Sequence, residues 1–132
     1  MLDEVLVEET RRLFEAFYAG RIGLLTPPIA YYEVANSIIK AVRHRRLAVD
    51  AGRLAIDQLF DLALETVGDD DPELVLRAAY PIAEQLNRSV YDGVFLAVSR
   101  AVRAPFVTAD KPTSEAAKST FDVVYLPELQ LP

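Results

Sequence analysis

Ser89-Val90-Tyr91-Asp92-Gly93-Val94-Phe95-Leu96-Ala97-Val98-Ser99-Arg100-Ala101-Val102, followed after two residues by Pro105-Phe106-Val107-Thr108-Ala109-Asp110, decides the fold class of this chain. The first run is apolar almost all round, which predicts a buried helix. Ser89 to Asp92 fits a capping box at its start, with the acid at the third helical position. The second run is nearly continuous in apolar residues and ends in turn chemistry, which predicts a strand. Helix and strand in immediate succession are the repeating unit of an α/β domain.

The same alternation extends in both directions. Downstream, a short helix from Thr113 to Lys118 precedes a strand over Asp122-Val123-Val124-Tyr125-Leu126. Upstream, Asp71-Pro72-Glu73 reads as an N-cap, a proline at the first helical position and a first-turn acid. That helix reaches about Asn87, and Pro81 inside it should kink or split it. Leu62 to Val67 reads as a strand. Asp50 reads as the cap of a helix carrying Leu54, Ile56, Leu59 and Phe60. A helix from Tyr31 to Arg45 turns Val34, Ala35, Ile38, Ile39 and Val42 inward, and Gly23 to Thr26 is a short strand halted by Pro27-Pro28. The first helix runs from about Asp3 to Ala19, with Leu6, Leu13, Phe14 and Phe17 on one face and Gly20 as its stop. The expected architecture is a doubly wound α/β sheet with parallel pairing and right-handed crossovers.

A chain of 132 residues is a single domain, 1–132, by length. Its 52% hydrophobic content supplies one core. There is no cysteine, which excludes a disulfide framework, a thiolate metal site and a cysteine nucleophile. Met1-Leu2-Asp3-Glu4 is the wrong flank for a signal peptide and no apolar run spans a bilayer, so the expected compartment is the cytoplasm. A net charge of −6 argues against broad nucleic-acid binding through Lys and Arg. It leaves room for an enzyme that meets phosphates through a metal ion, since the ion supplies the local positive charge. Scarce Asn, no Cys, one Met and an excess of Arg over Lys hint at a thermophile source.

Three acids stand out by position. Glu33 opens a helix on which Asn36, Ser37 and Lys40 follow along one polar stripe. Alone, that stripe reads as a solvated helix face with Glu33 complementing the dipole. Asp92 is a capping acid that also stands where a helix N-terminus opens toward the ligand crevice of an open sheet. Asp110 ends an apolar strand, where such sheets bind ligands; the plain alternative is a turn aspartate before Lys111-Pro112. Lys40, Arg43 and Arg46 are candidate RNA contacts, although a basic helix end complementing its own dipole explains them equally well. His44 reads as a surface residue, Asp69-Asp70-Asp71 as a loop leading to a cap, and Tyr31, Tyr32 and Tyr91 as packing residues. No Gly-rich phosphate loop, Ser-His-Asp arrangement or histidine ligand pair is visible.

Taken together, Pro27-Pro28-Ile29-Ala30-Tyr31-Tyr32-Glu33-Val34-Ala35-Asn36, Ser89 to Ala97, and Pro105 to Lys111 resemble, in order and spacing, the motifs of PIN-domain toxins of the VapC type. The resemblance implies a PIN-like three-layer α/β/α fold in which Glu33, Asp92 and Asp110 converge at one end of the sheet and bind Mg²⁺ or Mn²⁺. It implies that Asn36 and Thr108 are polar neighbours orienting the acids or a metal-bound water. It further implies a metal-dependent endoribonuclease, dimeric and paired with a cognate antitoxin. Two carboxylates ~5 Å apart repel by about 3 kcal/mol at an effective dielectric near 20, which a hard dication relieves.

One departure stands out. The family begins with a hydrophobic strand carrying a first aspartate, whereas this chain begins at the helix that follows, and Asp3 is not assigned that role. The remaining strands are expected to close up, or a partner chain to fill the gap, since unpaired edges are unfavourable. A first strand within residues 1–10 would refute this. A competing reading is a catalytically impaired PIN-like module acting through protein–protein interaction. A receiver-like phosphoacceptor, suggested by Lys111-Pro112 after a strand, lacks the early acid pair.

Overall fold

Asp71 accepts a hydrogen bond from the Leu74 N–H at 3.1 Å, and Pro72 follows at the first helical turn. Together they start a helix as the sequence indicates. A computed structural model describes residues 4–68 and 70–132 of the chain, with the side chains of residues 4 and 5 excepted. The expected helix start at Asp3, and Asp69 of the acidic loop, lie outside the described residues. The chain divides into two compact units, one of residues 1–24 with 70–132 and the other of residues 25–69.

In the first unit, α1 spans Glu4–Tyr18. Residues 4–10 are therefore helical. Ala16 is fully buried on it, at helical spacing from Leu13 on the expected apolar face. Gly20 closes the helix at φ +75°, a left-handed conformation that suits glycine. The helix begun at Asp71 is labelled α4 (Pro72–Leu86) and runs unbroken through Pro81, so the expected split does not occur. Asn87 ends it in the left-handed region, and two residues later Ser89 caps α5 (Val90–Val102). The tight link makes α4 and α5 a packed pair.

Their contact is set by small residues. A Cβ at Gly93 would lie 2.4 Å from the Ala79 carbonyl oxygen and 3.3 Å from the Ala83 Cβ. Ala79 and Ala83 on α4 and Val94, Leu96, Ala97 and Val98 on α5 are buried. Tyr91 and Val102, near its two ends, reach solvent, while the middle of the helix is buried as expected. Phe95 stacks on Phe106 at a centroid distance of 5.2 Å, joining α5 to the strand that follows.

That strand, β3 (Phe106–Thr108), pairs in parallel with β4 (Val123–Tyr125), Thr108 opposite Tyr125. The crossover between them is α6 (Lys111–Ala117), two residues earlier than its apolar content suggests, because Pro112 fits the first turn of a helix. A short 3₁₀ turn, Leu126–Glu128, packs against α1.

The second unit holds β1 (Leu25–Thr26), α2 (Ile29–Arg43), α3 (Val49–Asp61) and β2 (Glu65–Thr66). β1 and β2 are parallel, with Thr26 opposite Thr66. α2 and α3 approach at Gly52, whose absent Cβ leaves room for Val42 and Ile38. Several expectations shift here. Val34 and Ile39, expected inside, are exposed, and α2 has no buried residue. The α3 cap is Ala48 rather than Asp50, which sits in the first turn and pairs with Arg53 at 3.7 Å. The Leu62 to Val67 strand contracts to two residues because α3 extends to Asp61 and Ala63 adopts φ +51°.

Candidate functional site

The starts of α5 and α6 bring two of the three singled-out acids together in the first unit. Ser89 fixes the first: its Oγ accepts from the Asp92 N–H at 3.1 Å. Half of the capping box is thus formed. The Asp92 carboxylate turns instead toward the Thr113 hydroxyl (3.4 Å) and the Arg88 Nε (3.4 Å). Asp110 stands at the N-cap position of α6 without a side-chain capping bond and is held by Thr108, whose Oγ1 accepts the Asp110 backbone N–H at 3.0 Å. Thr108 is buried, so this turn at the end of β3 is fixed from below.

Thr113 is the hinge of the cluster. It is 1% exposed, and its hydroxyl donates to Asp110 Oδ2 at 2.5 Å while standing 3.4 Å from Asp92 Oδ2. A hydroxyl has one proton. The shorter contact takes it, so Asp92 is the less firmly held acid. Both Oδ2 atoms are within reach of one oxygen, which sets the two carboxylates side by side. Asp92 is the more sheltered, with its side chain 24% exposed against 47% for Asp110.

Arg88 supplies the countercharge. Its Nη2 donates to Asp110 Oδ2 at 3.0 Å and to Thr113 Oγ1 at 2.9 Å. Its Nε is buried and lacks a hydrogen-bond partner, the contact to Asp92 being a loose ion pair. The backbone that carries it is pinned: the Arg88 N–H donates to the Ala83 carbonyl at 3.0 Å, in the left-handed cap of α4. Two carboxylates, a guanidinium and a hydroxyl form one network at the end of the β3 strand.

Neither Arg88 nor Thr113 was singled out from the sequence. Both stand at spacings that carry a weak signal, Arg88 four residues before Asp92 and Thr113 three after Asp110. Such spacings become informative only once the helix starts are known. Glu33 and Asn36 lie on α2 of the second unit, on its exposed side, and the Ser37 hydroxyl donates to the Glu33 carbonyl at 3.1 Å. Lys40, Arg43 and Arg46 are exposed in and just beyond the last turn of the same helix.

The donors fit a hard cation in kind, since Asp92, Asp110 and Thr113 offer only oxygen, which Mg²⁺ and Mn²⁺ prefer. Among the described residues, no three or more His, Cys, Asp or Glu side chains are grouped to hold a metal. The first unit therefore presents an acid pair. Mg²⁺ commonly binds through one or two carboxylates and keeps several waters, which such a pair can serve.

A protein-family model described as PIN domain matches residues 1–119, a stretch that includes Glu33, Asp92 and Asp110 and crosses both units. Among curated proteins there is no match to this chain.

Proposed function

Because this chain belongs to the PIN domain family, whose members are generally metal-dependent nucleases, we propose that it is an Mg²⁺- or Mn²⁺-dependent endoribonuclease that hydrolyses RNA phosphodiesters. The observation that carries this reading is the pairing of Asp92 and Asp110 around the Thr113 hydroxyl at the end of β3. The two carboxylates carry two negative charges against the single positive charge of Arg88, so the pair can still favour a dication. When bound, a divalent ion would neutralise charge on the scissile phosphate and lower the pKa of water, the chemistry of metal-assisted hydrolysis.

The residues of the chain do the positioning. Asp92 and Asp110 hold the cation, with Glu33 proposed as a third acid. Thr108 fixes the Asp110 turn, and Asn36 is proposed to orient Glu33 or a water. The likeness to VapC-type toxins favours a toxin of a toxin–antitoxin pair, working as a homodimer in the cytoplasm. Residues 1–132 are proposed to form one PIN-like domain, since a single family model runs across both units. No helix among the described residues is long and apolar enough to cross a membrane.

The deciding experiment is cleavage of single-stranded RNA by the purified chain after EDTA treatment and after Mn²⁺ or Mg²⁺ is restored. Activity lost with EDTA and recovered with the ion is the expected result. Cleavage that persists in EDTA would remove the metal from the mechanism.

Lys40, Arg43 and Arg46 are proposed to guide the RNA backbone, giving an acidic protein a local basic stretch. Converting all three to Gln should weaken RNA binding and flatten the dependence of log K on log salt by about 2, at roughly 0.7 per single-strand phosphate lost. Fluorescence anisotropy across a salt series measures this. An unchanged slope would return these residues to the plain role of a basic helix end.

A second reading is supported by the large apolar side chains left on the surface. Tyr32 and Phe60 are 75% and 64% exposed in the second unit, and Leu74 and Tyr80 are 68% and 63% exposed on α4. Such surfaces favour protein partners. In that reading the domain acts through protein–protein interaction with an impaired site. Mn²⁺ titration separates the two, because an impaired site gives neither binding heat nor a shift in melting temperature.

A further inference from the structure

Arg88 stands between Asp92 and Asp110, yet its contacts are uneven. An arginine that fully satisfies a carboxylate does so through two parallel N–H bonds. Here the fork is divided: Nη2 serves Asp110 and Thr113, while Nε faces Asp92 at 3.4 Å and is buried without a hydrogen-bond partner. A buried donor left unspent is a cost, so this pairing is incomplete. The side chain nonetheless has a way out to solvent. Its main chain is pinned at the end of α4, its side chain is 27% exposed, and a long stem can swing to solvent without moving the backbone.

We propose that Arg88 is a resident counter-ion of the acid pair, which a divalent metal must displace, so that metal affinity is set by competition with this side chain. The inference rests on the metal-dependent reading above. A guanidinium donates hydrogen bonds but has no lone pair for a metal, so it cannot join a coordination shell. A dication entering among the same oxygens meets a positive charge a few ångströms away, and the two repel. Without metal, the guanidinium keeps the two carboxylates together. With metal, it swings out, and the acids become ligands. Arg88 is thus a positioning residue of the metal-free state and a competitor in the loaded one.

The test uses the full chain and its variants Arg88→Met, which keeps the apolar stem, and Arg88→Gln, which keeps a donor. Calorimetric titration with MnCl₂ is set beside thermal melting in EDTA. Both variants are expected to bind Mn²⁺ at least about tenfold more tightly than wild type, and to melt at lower temperature in EDTA. The opposite signs are the signature of competition. A purely structural role for Arg88 weakens metal binding and stability together, and that result overturns the proposal. Equal Mn²⁺ affinities in wild type and a folded variant also overturn it, while leaving the metal reading intact. Absence of Mn²⁺ binding in all three proteins overturns both. Should Arg88→Met fail to fold, Arg88→Gln carries the comparison.

Discussion

Asp92→Asn is expected to lower RNA cleavage by at least about a hundredfold while the protein stays folded. The substitution keeps the shape of the side chain and leaves the bond from its backbone N–H to Ser89 Oγ untouched. What it removes is one of the two charges placed side by side near Thr113. Losing about 3 kcal/mol of the electrostatic stabilisation that a well-held metal supplies corresponds to roughly a hundredfold in rate. The structural cost is smaller. A first-turn acid contributes about 0.3–1 kcal/mol at a helix N-terminus, which is a drop of a few degrees in melting temperature. Single-turnover cleavage with saturating Mn²⁺, alongside circular dichroism and a melt, measures both. Wild-type cleavage by the folded variant would take Asp92 out of the mechanism. Asp110→Asn is expected to behave in the same way, and the double variant to fall little further, because the two acids serve one cation.

Gly93→Ala should produce the largest loss of stability, about 2–3 kcal/mol. The added methyl would lie 2.4 Å from the Ala79 carbonyl oxygen and 3.2 Å from its carbon. A backbone carbonyl inside a helix cannot rotate aside as a side chain can, so α4 and α5 must separate along their length. The intrinsic preference of Ala over Gly in a helix interior, about 1 kcal/mol, works in the opposite direction and is outweighed. A fall in melting temperature of roughly 10 °C or more is expected for this variant. Gly20→Ala is not an equivalent control, because its strain is in the backbone rather than in contact. An unchanged melting curve would mean that α4 and α5 are not packed through Gly93. Since Asp92 is the preceding residue, the same displacement should also weaken Mn²⁺ binding.

Much of the first unit was legible because its signals are local. The Asp71-Pro72 helix start, the Ser89 cap and the strand from Phe106 to Thr108 each follow from a few adjacent residues. Asp92 and Asp110 were legible as acids at a helix start and a strand end. Their shared contact with Thr113 was not, because it joins α5 to the first turn of α6 across the end of a strand. Arg88 was hidden for a related reason: it lies in the three-residue link 87–89, whose path depends on the left-handed Asn87. In the second unit, apolar periodicity overstated burial. Val34 stands four residues before Ile38, and Ile39 four after Ala35, but nothing in the pattern says whether a partner surface covers them. Pro81 was read as a break, yet packing against α5 carries α4 through it.

Every buried Ala, Val, Leu and Ile among the described residues belongs to the first unit; the second shelters Thr26, Pro27 and Gly52 but none of these. Apolar burial is what raises the free energy of opening a segment above that of fraying. The stretch from β1 to β2 is therefore expected to exchange its amide protons before the α4–α5 pair does. Glu33 is carried on that stretch, so whatever steadies α2 should slow amide exchange around it as well.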